Sequence, residues 1–229
     1  MTLDIFVVAY CGWDALAETL ASIARWSEPG YRLTVYENST QNYPLTWLWN
    51  RFLEQSRRDV IALCNPDILV GPGWDTEALA CFAQHPECGV VSPLSNTGPH
   101  RDALGSTVPD VLGPAGVEAL AAMLARGTDP RYHLTRDERM TPGHCALVRR
   151  EAWARVQGFD ERIAFGGNDF DFNRRVVEAG MSLAVATRAF AFHRWGVSTA
   201  DAQRLGQFDP ARHAPRFRPA LDRVTFDEL

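Results

Sequence analysis

"VIALCNPDILVGPGW", residues 60–74, is an apolar run broken in its middle. Val60 to Cys64 is continuous and apolar, and such a run bounded by turn residues reads as a strand buried on both faces of a sheet. It stops at Asn65-Pro66-Asp67, resumes with Ile68-Leu69-Val70, and turns again at Gly71-Pro72-Gly73. A strand of this kind delivers its last residues to the carboxyl edge of the sheet, where open α/β sheets bind ligands. Asp67 is therefore either a turn-former or a functional carboxylate. In the second role it suits Mg²⁺ or Mn²⁺, which take one or two protein carboxylates and complete their shells with substrate phosphates.

Toward the amino terminus, a strand over 4–10 is followed by a helical pattern over 14–26 with Leu16, Leu20 and Ile23 on one face. A second strand over 32–36 ends at Glu37-Asn38-Ser39, and a helix after Pro44 presents Leu45, Leu48, Trp49 and Phe52. Strands alternating with helices at this spacing predict an α/β fold with a mostly parallel, twisted central sheet flanked by helices. Tyr10, Glu37 and Asp67 then reach one edge.

Toward the carboxyl terminus the pattern predicts a helix over 74–84 and a strand over 89–92. A loop follows over about 96–140, in which only 115–126 looks regular. Residues 145–148 read as a strand, and 183–186 and 189–193 as two short ones. The tail over 200–229 has no clear period and carries Arg212, His213, Arg216 and Arg218.

Three further places carry chemistry. Gly166-Gly167-Asn168-Asp169-Phe170-Asp171 opens a helix, where glycines let a ligand approach the backbone and the helix dipole favours an acid. Two acids in that turn, one more than capping needs, leave one to act as a general base. His193 ends a strand in "AFHRWGVS", either as a rim residue or as a ligand, and Trp195 beside it packs or faces an acceptor. His144, in "TPGHCAL", is a candidate substrate contact. No His-x-His or His-x-x-x-His pair argues for a dedicated zinc site. The first βα turn, Ala9-Tyr10-Cys11-Gly12-Trp13, has neither G-x-G-x-x-G nor a Walker lysine, so phosphate, if the chain holds it, has to be held by a metal.

With 229 residues, 46% hydrophobic and 22% charged, the chain has the length and composition of one soluble domain. A net charge of -5 gives no electrostatic case for nucleic acid or an acidic membrane. Five cysteines without Cys-x-x-Cys spacing read as reduced thiols. No apolar stretch approaches the ~20 residues of a membrane span. The expected location is cytoplasmic, with membrane contact peripheral if there is any.

"DIFVVAY", "LTVYENST", the segment leading into Asn65-Pro66-Asp67, "GHCALVRREAWARVQGFDERIAFGGNDFDFNRRVVEAGMSLA" and "AFHRWGVS" together resemble the family 2 inverting glycosyltransferases. Asn-Pro-Asp stands in place of Asp-x-Asp, similar to rhamnosyltransferase-like members. The resemblance implies a single GT-A domain over 1–199, of the nucleotide-diphospho-sugar transferase type. It divides into a nucleotide-binding half to about 95, a variable loop over 96–140 and a catalytic half over 141–199, followed by the tail over 200–229. It implies transfer of a sugar from a UDP- or dTDP-linked donor to a hydroxyl of a glycan, lipid-linked glycan or protein, with a modified nucleic-acid base as a remote option. Asp169 falls on the catalytic base, Asp67 and His193 on the ligands of Mn²⁺ or Mg²⁺, and Ala9, Tyr10, Glu37 and Asn65 on the nucleotide. His144, Gly167, Asn168, Asp171 and Trp195 fall on the acceptor or donor-sugar side. Asn168 stands where the family has Glu. Two other readings are open: a nucleotide-sugar-binding module without catalysis, and a nucleotidyltransferase on a similar sheet.

Overall fold

The computed structural model describes residues 1–97, 99–100, 108, 111–127, 130–163 and 166–206, and in it the apolar runs are strands covered on both faces. Every residue of β1 (Leu3–Ala9) is buried. Leu3, Ile5, Val7 and Ala9 join one core cluster, while Phe6 and Val8 join the other. β3 (Val60–Cys64) repeats this: Val60, Ala62 and Cys64 go one way, Ile61 and Leu63 the other. That is the period-two geometry of an extended chain. α1 (Trp13–Trp26) and α3 (Trp74–Gln84) cover the first face with Leu16, Ile23, Ala78 and Phe82, and α2 (Leu45–Gln55) covers the second with Leu48, Trp49 and Leu53.

The α/β architecture is as expected; the direction of the strands differs in part. β1 runs parallel to β2 (Arg32–Glu37) and to β3, so Ala9, Glu37 and Cys64 finish at one edge. β7 (Cys145–Arg149) lies antiparallel to β3, with Cys145 opposite Cys64, and antiparallel also to β5 (Cys88–Ser95). The sheet is thus mixed and not mostly parallel, in the order β2-β1-β3-β7-β5-β8-β4, where β8 is Ser182–His193 and β4 is Ile68–Val70. The cause is where the chain arrives. The long segment before Cys145 returns to the carboxyl edge of β3, so β7 starts where β3 stops. Residue alternation carries no information about that polarity.

β8 (Ser182–His193) is one strand where two short ones are expected. Its pairing with β5 slips from Pro93↔Ala186 to Leu94↔Phe190, which leaves Thr187, Arg188 and Ala189 as an irregularity. Thr187 donates its N–H to the Arg131 carbonyl and its hydroxyl to the Pro130 carbonyl. A bulged strand bends and twists more strongly. The bend matters because β4 (Ile68–Val70) pairs with the last residues of β8, Ile68 opposite His193, although β3 and β8 are not neighbours. The three residues between β3 and β4 reach about 14 Å, so the end of β8 has to curl back toward β3.

The expected loop over 96–140 contains more order than its composition indicates. α4 (Pro114–Leu124) is entered through proline as expected, and β6 (Tyr132–Thr135) adds to β8. α5 (Arg150–Arg155) and α6 (Asn168–Glu178) follow β7. α7 (Val197–Arg204) spans the boundary expected at 199. Arg212, His213, Arg216 and Arg218 lie outside the described residues. All five cysteines are buried and none is in a disulfide. Among the described residues, no helix is long and apolar enough to cross a membrane.

Gly71, directly after β4, lets α4 pack tightly against the sheet: a Cβ built there would lie 2.5 Å from the Ala121 Cβ. Gly71→Ala is expected to lower stability by about 1–3 kcal/mol through overpacking, measured by urea unfolding. An unchanged midpoint and slope would mean that α4 does not rest on β4.

Candidate functional site

Asp67 and His193 are brought together by the pairing of β4 with β8. Asp67 precedes β4, His193 ends β8, and the Arg194 N–H donates to the Asp67 carbonyl at 3.0 Å. The Asp67 Oδ1 lies 3.2 Å from the His193 Nε2, and both side chains are buried. The Asn65 amide is 3.3 Å from the same Nε2. The turn that breaks the opening apolar run therefore points two of its three residues at one imidazole.

The His144 ring stacks on that imidazole, centroids 4.6 Å apart and planes 10° apart. The His144 carbonyl accepts the Asn65 N–H, so the start of β7 and the exit of β3 hold each other. Burial first, then the neighbouring His193 and His100, holds the His144 imidazole well below the usual histidine range. It is a neutral wall. Trp195 meets the His193 ring edge-on at 5.6 Å and is 73% exposed, with its backbone in the left-handed region at φ 47°. A bulky residue there is strained, a condition that concentrates at functional sites.

Asp169 reaches this cluster through a single residue. Its Oδ2 accepts the N–H of Gly143, the neighbour of His144, at 2.8 Å, and its Oδ1 accepts the Phe170 N–H at 3.0 Å. Burial pushes the Asp169 carboxyl up, against the pull of these backbone donors. Gly143 has to be glycine for close approach, since a Cβ would stand 3.0 Å from the Asp169 Cβ and 3.3 Å from Trp49. Gly167, at φ 76°, starts α6 without a side-chain cap, and Asn168 is buried with its Nδ2 unpartnered among the described residues. The second acid of the turn is differently placed: Asp171 is paired with Arg174 at 2.7 Å and Arg175 at 2.8 Å along the helix.

The ends of β1 and β2 complete the edge. The Ala9 carbonyl accepts the Asn38 N–H, and Tyr10 begins the turn into α1. Glu37 is exposed; its carboxyl accepts the Ser39 N–H and the Thr40 hydroxyl. Burial raises this carboxyl and those hydrogen bonds outweigh it, so the net shift is downward. Sequence reasoning missed several residues that build this edge. The Ser39 hydroxyl accepts the Cys11 N–H, and the Asp201 carboxylate accepts the Gly12 N–H at the start of α1. Asn96 bonds both backbone groups of His193. Ser39 carried a readable signal, as a polar residue at a strand exit; Asp201 and Asn96 carried none, because their partners are remote in sequence.

Among the described residues, no group of three or more His, Cys, Asp and Glu side chains converges as a self-sufficient metal site. Two donors do converge. Cis ligands of an octahedral ion at ~2.1 Å lie ~3.0 Å apart, and Asp67 and His193 are separated by 3.2 Å. One carboxylate and one imidazole fit an ion that takes its remaining ligands from substrate phosphates and water.

No family model matches the chain. The N-acetylglucosaminyl-diphospho-decaprenol L-rhamnosyltransferase of Mycobacterium tuberculosis is 31% identical over 170 residues, 68% of this chain and 51% of that protein. The chain thus spans about half the length of that curated relative. Among solved structures, GalNAc-T7 with UDP, GalNAc and Mn²⁺ superposes with a TM-score of 0.61 at 14% identity, over 84% of this chain and 44% of the other. The mannosyltransferase PcManGT from Pyrobaculum calidifontis, with GDP-Man and Mn²⁺, gives 0.58 at 13% identity, over 84% and 56%. At such identities these likenesses show the fold. In sequence the chain is a homologue of rhamnosyltransferases of glycosyltransferase family 2, and its fold is GT-A.

Proposed function

We propose that the chain is a metal-dependent inverting glycosyltransferase, moving a sugar from a UDP- or dTDP-linked donor to an acceptor hydroxyl. The observation that carries this reading is the pair of Asp67 and His193 at 3.2 Å on the strand edge, linked through His144 and Gly143 to Asp169. The presence of Mn²⁺ together with a nucleotide or nucleotide sugar in structures of the same fold supports a divalent cation here.

Ala9, Tyr10, Glu37 and Asn65 line the nucleoside side. Asp67 and His193 hold the cation, which when bound supplies positive charge against the departing diphosphate. Asp169 accepts the proton of the attacking hydroxyl. Its raised pKa makes it a stronger base, and the Gly143 and Phe170 N–H groups fix its carboxyl in place. One in-line displacement by that hydroxyl inverts the anomeric centre. Asp171 is engaged with two arginines and serves to hold the first turn of α6. His144, Gly167, Asn168 and Trp195 face the sugars. The relative named for a decaprenol-linked substrate supports a lipid-linked glycan as acceptor.

Asp169→Asn is expected to lower kcat by about 10²–10⁴-fold with the affinity for UDP and Mn²⁺ retained, read by nucleoside diphosphate release over a panel of donors. Turnover equal to wild type would remove Asp169 as the base. Because the base acts deprotonated and its pKa is raised, the acid limb of the wild-type rate profile should fall above the ~3.9 of an ordinary Asp. A profile flat down to pH 4 would contradict that. Chelation by EDTA should abolish transfer and Mn²⁺ should restore it; undiminished transfer in EDTA would exclude the metal.

A further inference from the structure

We infer that Asn96 is a positioning residue for His193, placing the imidazole against Asp67 through the backbone; this rests on the reading of Asp67 and His193 as the pair that holds the cation. The regular pairing of β5 with β8 ends at Ser95↔Ala191, two residues short of His193. Asn96 follows directly. Its Oδ1 accepts the His193 N–H at 2.7 Å, and its Nδ2 donates to the His193 carbonyl at 3.0 Å. One carboxamide thus satisfies both backbone groups of a single residue, as the opposite residue of a hydrogen-bonded antiparallel pair would.

The other neighbour does not take over this task. β4 bonds to the residue after, through the Arg194 N–H and the Asp67 carbonyl, while the His193 N–H and C=O face Asn96. Nor is the imidazole fixed from its far nitrogen. Metal-binding histidines usually donate that N–H to a carboxylate, carbonyl or water, which sets tautomer and ring plane. Here the His193 Nδ1 is buried and has no partner among the described residues. The ring plane is set by the stack on His144 and the edge of Trp195. Where the ring starts from, its Cα, is set by Asn96. Only a carboxamide offers a donor and an acceptor together at this length; a carboxylate accepts only, and alanine does neither.

The test compares wild type, Asn96→Ala, Asn96→Asp and His193→Ala. Mn²⁺ affinity in the presence of UDP is read from the electron paramagnetic resonance of the free ion, and His193 amide exchange is read by NMR without metal. Asn96→Ala is expected to raise the Mn²⁺ Kd by about 10–100-fold and to speed His193 amide exchange, with near wild-type kcat once Mn²⁺ saturates. Asn96→Asp retains the acceptor, so it should keep the amide protected while still weakening Mn²⁺ through loss of the donor. If His193→Ala loses Mn²⁺ while both Asn96 variants bind it as wild type does, the positioning role is overturned and the cation reading stands. If wild type and His193→Ala bind Mn²⁺ equally, the cation reading fails and takes this inference with it.

Discussion

The structure depends on one short connection. Three residues, Asn65-Pro66-Asp67, join a central strand to an edge strand that pairs with the far end of β8. A link of that reach allows one solution: β8 has to bend and bring its terminus back over the end of β3. The bulge at Thr187 to Ala189 provides the bend, and α4 packs Val117 and Ala121 against Leu69, Phe190 and Phe192 behind it. The apolar run breaks at residue 65 because the chain changes partner there. The polar residues of the break are left where the two parts of the sheet meet.

That geometry determines the electrostatics of the site. A carboxylate and an imidazole come together in a buried setting, walled by a second imidazole that burial keeps neutral. Excluding water strengthens the field of any charge held there, and it makes an unpaired buried group costly. The Asp169 carboxyl lies one residue beyond the wall, anchored by backbone donors and raised in pKa by the same burial. Two acids on one edge thus differ in setting. Asp67 faces an imidazole and Asp169 faces amides, a difference suited to separate work.

Local features were legible in the sequence because their causes are local. The alternation of β1 and β3 follows from two-sided burial, and α3 begins and ends at 74 and 84 as expected because Gly73 and the apolar spacing mark it. The first three strands were read to carry Tyr10, Glu37 and Asp67 to one edge, and β1, β2 and β3 do end side by side at Ala9, Glu37 and Cys64, since parallel βαβ units leave little choice. The strand polarity of the second half was not legible: "CALVR" has the same pattern whichever way it runs. β6 and α7 escaped because exposed or terminal elements bury little, which weakens the apolar period. The meeting of Asp67 with His193 came from a family resemblance and not from spacing. No local rule relates two residues on different strands. Asn96 is the extreme case: an asparagine after a strand reads as a turn residue until its partner is known.

The central claim is that the break in the opening apolar run places Asp67 where His193 can share a cation with it. Crystals grown with UDP and MnCl₂, with data collected at the manganese absorption edge, test it most directly. The account predicts an anomalous peak within bonding distance of both the Asp67 carboxylate and the His193 Nε2, touching the diphosphate of UDP. A peak bound elsewhere, or UDP bound at the β1 and β2 edge with no manganese between these two side chains, would contradict it.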